Sequence, residues 1–312
     1  MIVTLDRRDL QPPPSAGAVV SVGVFDGMHL GHRAIVQANL QRSEALGCVP
    51  TVVTFREHPK KTLLGKAPRT LTSLEHRLEL FRRAGVGHVV ALAFDEELRR
   101  TPAREFVEQL LLKGLGARML VLGFDSKFGR DREGTPEYVR SLGCEVEVVP
   151  RVKVGERAVS STAIREAVEL GDLEGAERML GRPVAVYGDV VEGDQLGRQL
   201  GFPTANLDLH HELHPPAGVY ACFARRQRED AARPAVANIG TRPTVSSGAP
   251  EPRVEVHMLD FEGELYGEFL EVEFVQRLRA EQRFPDLDAL KAQIALDIGR
   301  ARECLAQVPP RS

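Results

Sequence analysis

Short apolar runs alternate with amphipathic segments along the first half of the chain. The predicted strands cover residues 19–25, 49–55, 88–94, 118–124 and 145–149. Between the first two, apolar residues recur with helical spacing over about 31–46, and Gly47 is predicted to end that helix. Buried apolar strands that alternate with helices form parallel sheets with right-handed crossovers. The pattern therefore predicts an α/β domain whose ligands bind at the carboxyl ends of the strands.

Residues that favour helix ends predict two further helices in this half. Thr72 is predicted to cap one of them, with Glu75 completing a capping box and Gly85 ending the helix. Thr101 and Pro102 are predicted to open the next, as a cap followed by proline at the first helical position. These ends divide the first half into the strand–helix repeats that a parallel sheet requires.

The pattern changes towards the second half of the chain. Residues 161–180 have the spacing of two short helices interrupted at Gly171-Asp172, and Gly181-Arg182-Pro183 has the composition of a boundary. A chain of 312 residues has room for two domains. We therefore expect one domain over residues 1–181 and a second over residues 182–312.

Beyond this boundary the apolar residues recur with the period of two that strands require. Two of the alternating apolar sets are Val254, Val256, Met258 and Leu270, Val272, Phe274. Proline and glycine turns separate such runs, which predicts a small antiparallel β-barrel. The chain then ends in a helix with one predicted buried stripe, formed by Leu287, Leu290, Ile294, Ile298, Ala301 and Leu305.

Composition and charge narrow the class of protein. With 43% hydrophobic and 27% charged residues the chain is typical of a soluble globular protein, and its net charge of −3 gives no basic field for nucleic acid or an anionic membrane. No apolar run is long enough for a membrane span or a secretion signal. The four cysteines form no Cys-x-x-Cys pair and are expected to be reduced thiols. We expect a cytoplasmic monomer or weak homo-oligomer with no nucleic-acid or membrane partner.

The first candidate site is a strand-to-helix turn, where residues 23–32 read Gly-Val-Phe-Asp-Gly-Met-His-Leu-Gly-His. A helix N-terminus offers amide groups and partial positive charge to phosphate, and glycines let the backbone approach closely. His29 and His32 could donate to phosphate oxygens during in-line nucleotidyl transfer, or they could merely cap the helix. The other residues predicted to contact nucleotide here are Phe25, Asp26, Gly27 and Gly31.

Two further segments could complete this site. Ser160, Ser161, Thr162 and Arg165 form a second helix start rich in hydroxyls, which could bind the same triphosphate or only cap its helix. Residues 121–130 form a glycine-bearing loop just past a predicted strand, at the end of the sheet where ligands bind. The three segments together predict a nucleotide site in the first domain.

The second candidate site is a glycine-rich loop at the start of the second domain. Its candidate phosphate-binding residues are Gly193, Gly197, Arg198 and Gly201. The loop is not a Walker loop, because Gly-Lys-Ser/Thr is missing. Thr204 and Asn206 are two residues apart, so on an extended strand their oxygens face the same way and could hold Mg²⁺ with nucleotide phosphates. An ordinary hairpin is the alternative for this spacing.

An acid in the barrel pattern suggests a catalytic base. Glu255 lies between Val254 and Val256 and points away from the apolar face that those two residues form. An acid at such a position is commonly just solvated. Beside a magnesium-nucleotide site, however, its carboxylate could accept the proton of a hydroxyl that is being phosphorylated.

Three motifs of the first half occur together and in a fixed order: Phe-Asp-Gly-x-His-x-Gly-His, Gly-x-Asp-x-x-Phe-Gly and Ser-Ser-Thr-x-Ile-Arg. Over about residues 15–180 they resemble the adenylyltransferase module of prokaryotic bifunctional flavin-cofactor enzymes. The resemblance implies a Rossmann-like nucleotidylyltransferase domain that converts FMN and ATP to FAD and pyrophosphate. It implies ATP contacts by His29, His32, Ser160, Ser161, Thr162 and Arg165, and flavin contacts by Asp125 and Phe128.

The second half carries Leu-Gly-Phe-Pro-Thr-Ala-Asn, Gly-Val-Tyr, Asn-Ile-Gly-Thr-Arg-Pro and Val-Glu-x-His in order. Over about residues 182–306 these motifs closely resemble riboflavin kinase, which implies that kinase's type of antiparallel barrel with a C-terminal helix. The resemblance implies that Thr204 and Asn206 hold magnesium-ATP and that Glu255 is the base acting on the ribityl hydroxyl of riboflavin. The residues expected near the flavin are Asn238, Gly240, Thr241 and Arg242.

Two other functions compete with a bifunctional riboflavin kinase and FMN adenylyltransferase. A class I aminoacyl-tRNA synthetase shares the His-x-Gly-His turn, but this sequence has no Lys-Met-Ser-Lys-Ser element and no basic RNA-binding extension. A non-catalytic flavin or nucleotide sensor would not need Glu255 beside a magnesium-phosphate site. We therefore expect an enzyme whose small-molecule substrates are riboflavin, FMN and ATP.

Overall fold

The chain forms two compact units, Met1–Ser161 and Thr162–Ser312. The structure is a computed structural model, and it describes residues 1–60, 62, 65, 68–193, 197, 200–227, 229, 231–242 and 251–308. The two units divide after Ser161, which is earlier in the chain than the domain boundary expected after residue 181. That domain boundary stays a prediction.

A parallel sheet forms the centre of the first unit. Its strands are β1 (Ile2–Thr4), β2 (Ala18–Val22), β3 (Val49–Phe55), β4 (His88–Leu92), β5 (Ala117–Gly123) and β6 (Glu145–Val149). In the described part of the chain they lie in the order β1-β4-β3-β2-β5-β6, and every neighbouring pair is parallel. The predicted parallel α/β sheet is confirmed, and β3 and β6 have the predicted bounds.

The differences of β1 and β2 from the predicted strands have local causes, and β4 and β5 differ from their predicted bounds by one or two residues. β1 lies at the edge of the sheet and was not among the predicted strands, which were recognised as buried apolar runs. Its Ile2 and Val3 are exposed. β2 ends at Val22 rather than residue 25, since the chain there leaves the sheet and Phe25 takes a positive φ of 52°. The shortened strand places the candidate nucleotide turn beyond the carboxyl end of β2.

Glycines end the two long helices of the first unit. The helices in the described part of this unit are α1 (Leu30–Leu46), α2 (Leu74–Ala84), α3 (Glu96–Arg100), α4 (Ala103–Glu105), which continues as a π-helix over Phe106–Gly114, and α5 (Pro136–Ser141). Gly47 and Gly85 end α1 and α2 in the left-handed conformation, as predicted.

Two predicted helix starts are wrong. Ser73, not Thr72, caps α2 and accepts a hydrogen bond from the His76 backbone N–H at 3.1 Å. Thr101 instead follows α3 and donates its hydroxyl to the Glu97 carbonyl, and Pro102 stands at the N-cap of α4 without a side-chain bond. In each case the N-cap is the residue that follows the predicted one: Ser73 instead of Thr72, and Pro102 instead of Thr101.

The second unit is a closed antiparallel barrel. Its strands are β9 (Ala185–Val191), β10 (Ala205–Asp208), β11 (Gly218–Arg226), β12 (Arg233–Arg242), β13 (Glu251–Met258) and β14 (Phe269–Arg279), numbered after the short hairpin β7 (Lys153–Val154) and β8 (Arg157–Ala158). Among the described residues the strand order is β10-β13-β12-β11-β14-β9, with β9 closing on β10. Both predicted alternating apolar sets are buried, which confirms the barrel.

Within the described residues, three helices accompany the barrel in sequence: α6 (Ser161–Leu170), α7 (Leu173–Leu180) and α8 (Leu287–Leu305). The predicted break at Gly171-Asp172 is confirmed, with Asp172 capping α7. The single buried stripe predicted for α8 is wrong at its start, where Leu287 is 55% exposed. Of the predicted stripe, Ala301 and Leu305 are fully buried, because they pack against Ala221 and Phe223 of β11.

No helix in the described part of the chain is both long enough and apolar enough to cross a membrane.

Candidate active sites

The turn between β2 and α1 has a strained backbone that the core holds in place. Phe25 and Met28 have positive φ values of 52° and 40°, which non-glycine residues rarely adopt. Both side chains are at least 97% buried, so packing against the core fixes this conformation. Gly27 has φ 81°, and a Cβ there would come within 2.7 Å of Leu71. Strain of this kind gathers at functional sites, which agrees with the phosphate-binding role predicted for the turn.

Two side chains tie the turn to the start of α2. The buried Asp26 carboxylate accepts hydrogen bonds from the backbone N–H groups of Leu71 and Thr72, at 2.8 and 3.2 Å. The Thr72 hydroxyl in turn accepts from the Gly27 N–H at 2.9 Å. The described bonds of Asp26 therefore shape the turn, and its predicted direct contact with nucleotide remains a prediction.

The two predicted catalytic histidines lie together at the start of α1. His29 is the N-cap of the helix, and its Nδ1 accepts from the His32 backbone N–H at 3.3 Å. The two rings stack with centroids 3.6 Å apart. Capping and phosphate binding are therefore compatible, since capping uses Nδ1 of His29 and a phosphate would require Nε2.

His32 is held neutral by its surroundings. Burial, followed by the nearby His29 and Arg77, keeps the pKa of His32 well below its usual value. Its Nδ1 is buried and has no hydrogen-bond partner among the residues that the structure describes. A neutral imidazole has one N–H to donate, so His32 can act at this site as a polar donor and not as a cation.

The neutral, enclosed His32 should make the protein less stable in acid. Below about pH 6.5 the unfolded chain binds a proton at this ring that the folded chain excludes. The free energy of unfolding should therefore fall as the pH drops, by at most about 1.4 kcal/mol per pH unit for this group. His32→Gln should remove that part of the fall.

Melting temperatures at about pH 7.5 and 5.5 test this expectation. His88, whose pKa is also lowered by burial, is retained in both proteins and contributes equally. A smaller loss of melting temperature in His32→Gln supports the neutral buried ring, and equal losses in the two proteins contradict it.

The second helix start reaches the turn through one described contact. The Ser161 hydroxyl donates to the Asp26 carbonyl at 2.9 Å. Ser160 precedes it in the same unit, whereas Thr162 and Arg165 belong to the other unit. The roles of these four residues at the nucleotide site remain predictions.

Arg77 is a residue of this region that the sequence reasoning missed. Its guanidinium is buried and donates to the carbonyls of Val24 and Phe55 at 2.8 and 2.9 Å, and to the Thr54 hydroxyl at 3.1 Å. It therefore joins the ends of β2 and β3 beneath the turn. Its position on the apolar side of α2, one turn before the buried Phe81, was the signal available in the sequence.

The loop after β5 divides its aromatic residues between core and surface. Phe128 is buried and packs against Phe106 with ring centroids 5.3 Å apart. The flavin contact predicted for Phe128 stays a prediction. Asp125 is exposed. Phe124, which was not predicted to contact flavin, is 41% exposed, and the Arg151 guanidinium lies 4.6 Å from its ring centroid.

In the barrel, three predicted site residues form one row across neighbouring strands. Asn206 of β10 lies opposite Glu255 of β13, and Glu255 lies opposite Asn238 of β12. Directly paired residues on antiparallel strands project to the same face of the sheet. The candidate metal ligand, base and flavin contact therefore share one face, and this set is called the polar row below.

The glycine loop approaches this row closely. A Cβ on Gly193 would overlap the Asn206 side-chain amide, and a Cβ on Gly197 would come within 3.0 Å of the Thr204 hydroxyl. Gly201 has φ 87°, which favours glycine. Arg198 lies outside the described residues. Glycine is favoured at Gly193 by its close approach to the Asn206 side chain. At Gly197 it is favoured chiefly by the Phe202 carbonyl oxygen, which would lie 2.5 Å from a Cβ there.

Arg253 is a second residue that the sequence reasoning missed. Its Nε lies 2.7 Å from Asn206 Oδ1 and 2.7 Å from Glu255 Oε1. Arg253 and Glu255 are two residues apart on β13 and so share a face, which was the available signal. A cationic group thus lies between the predicted metal ligand and the predicted base.

Two further contacts shape the barrel site. His257 Nδ1 lies 2.7 Å from the Pro203 carbonyl, which fixes the segment just before Thr204 against β13. A Cβ on Gly240 would come within 2.5 Å of Glu281 Oε1, so a carboxylate lies over this position of the predicted flavin segment. The side chains of Thr241 and Arg242 lie outside the described residues.

Comparison with known proteins gives the same two-part organisation. An FAD synthetase family model matches residues 11–163, and a riboflavin kinase family model matches residues 180–305. Bifunctional riboflavin kinase/FMN adenylyltransferases from Pseudomonas fluorescens and Escherichia coli K12 are 40% and 38% identical to this chain. The matches cover 94% and 97% of this chain and 95% and 97% of those proteins.

A solved structure described as a macrolide-efflux protein from Streptococcus pneumoniae is also similar over nearly the whole chain. It has 32% identity and a TM-score of 0.80, covering 96% of this chain and 98% of that one. Its name differs from those of the sequence relatives, whereas both family models agree with them. The chain belongs to the family of bifunctional riboflavin kinase/FMN adenylyltransferases, with its FAD synthetase part first and its riboflavin kinase part second.

Proposed function

We propose that this chain phosphorylates riboflavin to FMN in its barrel and adenylylates FMN to FAD, with release of pyrophosphate, in its parallel-sheet unit. ATP is the second substrate of both reactions, and Mg²⁺ is the metal ion. The enzyme acts in the cytoplasm as a monomer or weak homo-oligomer, without nucleic-acid or membrane partners. The observation that supports the proposal is the polar row, which aligns the amides of Asn206 and Asn238 with the carboxylate of Glu255 on one face.

The donor atoms of the barrel site suit magnesium. Asn206 offers an amide oxygen and Thr204 a hydroxyl, which are the hard ligands that Mg²⁺ prefers. The position between Asn206 Oδ1 and Glu255 already accommodates a positively charged group, the Arg253 Nε. When bound with ATP, Mg²⁺ would neutralise phosphate charge and so would favour transfer of the γ-phosphoryl group. We assign Thr204 and Asn206 as the residues that hold it.

Glu255 is assigned as the base of the kinase reaction. Its side chain keeps 29% of its exposure, so the carboxylate can meet a hydroxyl of a bound substrate. The carboxylate accepts the ribityl hydroxyl proton as the oxygen attacks the γ-phosphorus of ATP. Asn238, directly opposite on β12, orients the flavin side, and the amides of the glycine loop bind the phosphates.

Adenylyl transfer is assigned to the turn between β2 and α1. The N-terminus of a 17-residue helix, α1, offers amide groups and partial positive charge to the ATP phosphates. His29 and the neutral His32 donate to the oxygens that gain charge as FMN attacks the α-phosphorus and pyrophosphate leaves. The strained backbone at Phe25 and Met28 presents these groups before substrate arrives.

The kinase should work without the first unit. A fragment of residues 182–312 should phosphorylate riboflavin without making FAD, and a fragment of residues 162–312 should do the same with higher stability. The longer fragment keeps α7, which packs against β14 and buries Met179 and Leu180. Its melting temperature should be higher by roughly 5–10 °C. A well-folded fragment that makes no FMN contradicts the assignment of the kinase to this half.

Product analysis tests the proposed function directly. The full chain is mixed with riboflavin and magnesium-ATP, and the flavins are separated by chromatography over time. FMN should appear first and FAD later, and a chelator of Mg²⁺ should stop both. Tight flavin binding without either product would instead favour the sensor alternative, and ATP–pyrophosphate exchange that depends on an amino acid would favour a synthetase.

A further inference from the structure

A single arginine lies between the two reactive side chains of the kinase site. The Arg253 Nε is 2.7 Å from the amide oxygen of Asn206 on β10 and 2.7 Å from a carboxylate oxygen of Glu255 on β13. The arginine side chain is 24% exposed and Asn206 is 9% exposed, so the contact is largely shielded from water. One guanidinium thus joins side chains from two adjacent strands.

A metal ion bound at the Asn206 oxygen would compete electrostatically with the Arg253 contact to the same atom. A magnesium ligand oxygen lies roughly 2.1 Å from the ion. With the Arg253 Nε 2.7 Å from Asn206 Oδ1, the guanidinium and a bound divalent cation would repel each other at short range. Metal binding at Asn206 is therefore favoured when the Nε leaves that oxygen.

Leaving Asn206 does not require Arg253 to leave the site. Glu255 is on the same face of the same strand, so the guanidinium can keep its ionic partner while it gives up the amide. The strand register keeps Asn206 opposite Glu255 throughout, since it is set by backbone pairing. The exchange needs only a side-chain rearrangement.

We propose that Arg253 is a positioning residue whose Nε holds the metal position of the kinase site until the metal-nucleotide complex displaces it from Asn206. This inference rests on the proposed kinase function of the barrel. Before substrate binds, the Arg253 guanidinium balances the negative charge of the Glu255 carboxylate through an ion pair. It also orients the Asn206 oxygen through a hydrogen bond. The exchange makes metal affinity lower than the oxygen ligands alone would give.

Removing the arginine should therefore tighten metal binding. Arg253→Met keeps a long apolar side chain but loses the guanidinium, so the metal has no competitor at Asn206. We expect the dissociation constant of Mn²⁺, measured with saturating ADP, to fall by roughly three- to tenfold. Free Mn²⁺ is read from its electron paramagnetic resonance signal, which does not depend on catalysis.

Two controls separate the sources of any change. Asn206→Ala defines the barrel site as the Mn²⁺ binding that this variant loses, because the chain is proposed to bind nucleotide in its other unit as well. Arg233→Met removes the same charge from β12 at a residue that contacts Glu229 instead, and should leave Mn²⁺ binding unchanged. The free Mg²⁺ concentration for half-maximal kinase rate should fall only in Arg253→Met.

The outcomes distinguish this inference from the proposed function. Tighter Mn²⁺ binding in Arg253→Met, with loss of binding in Asn206→Ala, supports both. Unchanged or weaker binding in Arg253→Met, with loss in Asn206→Ala, overturns the displacement and leaves the kinase site intact. If Asn206→Ala binds Mn²⁺ as the unmodified protein does, the metal site itself is wrong, and the inference fails with it.

Discussion

Replacing Glu255 with glutamine should lower riboflavin phosphorylation by roughly two to four orders of magnitude. Glutamine keeps the size of the side chain and an oxygen for the Arg253 Nε, but it cannot accept the hydroxyl proton. The buried Val254 and Val256 keep β13 in register, so the stability should change little. ATP affinity should also stay close to normal, because phosphate and metal contacts are assigned to other residues. The measurement is the steady-state rate of FMN formation.

A matched variant makes this result specific. Glu273→Gln removes a carboxylate from β14 that also pairs with an arginine, Arg225, but lies outside the polar row. It should retain the normal rate. Thr204→Ala should behave differently from both, by weakening magnesium-ATP binding along with turnover. A Glu255→Gln protein that keeps more than about a tenth of the rate rules out an essential base at this position.

Replacing His29 should slow FAD formation by roughly a hundredfold or more while FMN formation stays near normal. The expected loss follows from removing one donor to the phosphate on which charge develops. His29→Ala should also cost about 1 kcal/mol of stability, because the His29 Nδ1 caps α1. The measurement is the rate of FAD formation from supplied FMN, together with the melting temperature.

A second substitution separates the two roles of His29. Asparagine is among the best N-cap residues, so His29→Asn should recover the stability that His29→Ala loses. It should not recover the rate, because the shorter side chain cannot place a donor where the imidazole Nε2 would be. Loss of both activities together, with the protein folded, would contradict the assignment of two separate sites.

Much of the fold could be predicted because burial leaves a direct trace in the sequence. β3 begins and ends at the predicted residues, and Val254 and Val256 are buried on the face opposite Glu255. The glycines at positions 47 and 85 end their helices because few other residues tolerate that conformation. These features depend on short-range patterns that one sequence contains.

Features that depend on tertiary neighbours could not be predicted in the same way. Thr72 and Ser73 are adjacent hydroxyl residues, and either could cap α2. The choice is made by the Gly27 N–H, which comes from another part of the chain and takes the Thr72 hydroxyl. β1 was missed for a similar reason, since its place in the sheet comes from pairing with β4 and not from burial of its own side chains.

The candidate sites show the same division between local and tertiary information. The motif residues were identified from their order, their spacing and their resemblance to known families, but Arg77 and Arg253, which contact these segments, were not identified. In the sequence, Arg77 and Arg253 cannot be told from ordinary charged surface residues. Their contacts with the candidate sites are visible only once β2, β3, β10 and β13 are in place. Contacts between a charged residue and a motif residue on another strand could therefore be identified only from the structure.

Mixing two defective variants tests the central claim of two independent sites most directly. Given riboflavin and magnesium-ATP, Glu255→Gln alone should make almost no FMN or FAD, and His29→Asn alone should make FMN but almost no FAD. An equimolar mixture should form FAD, because FMN released by one variant is adenylylated by the other. A mixture of folded variants that makes FMN but no FAD would contradict the account.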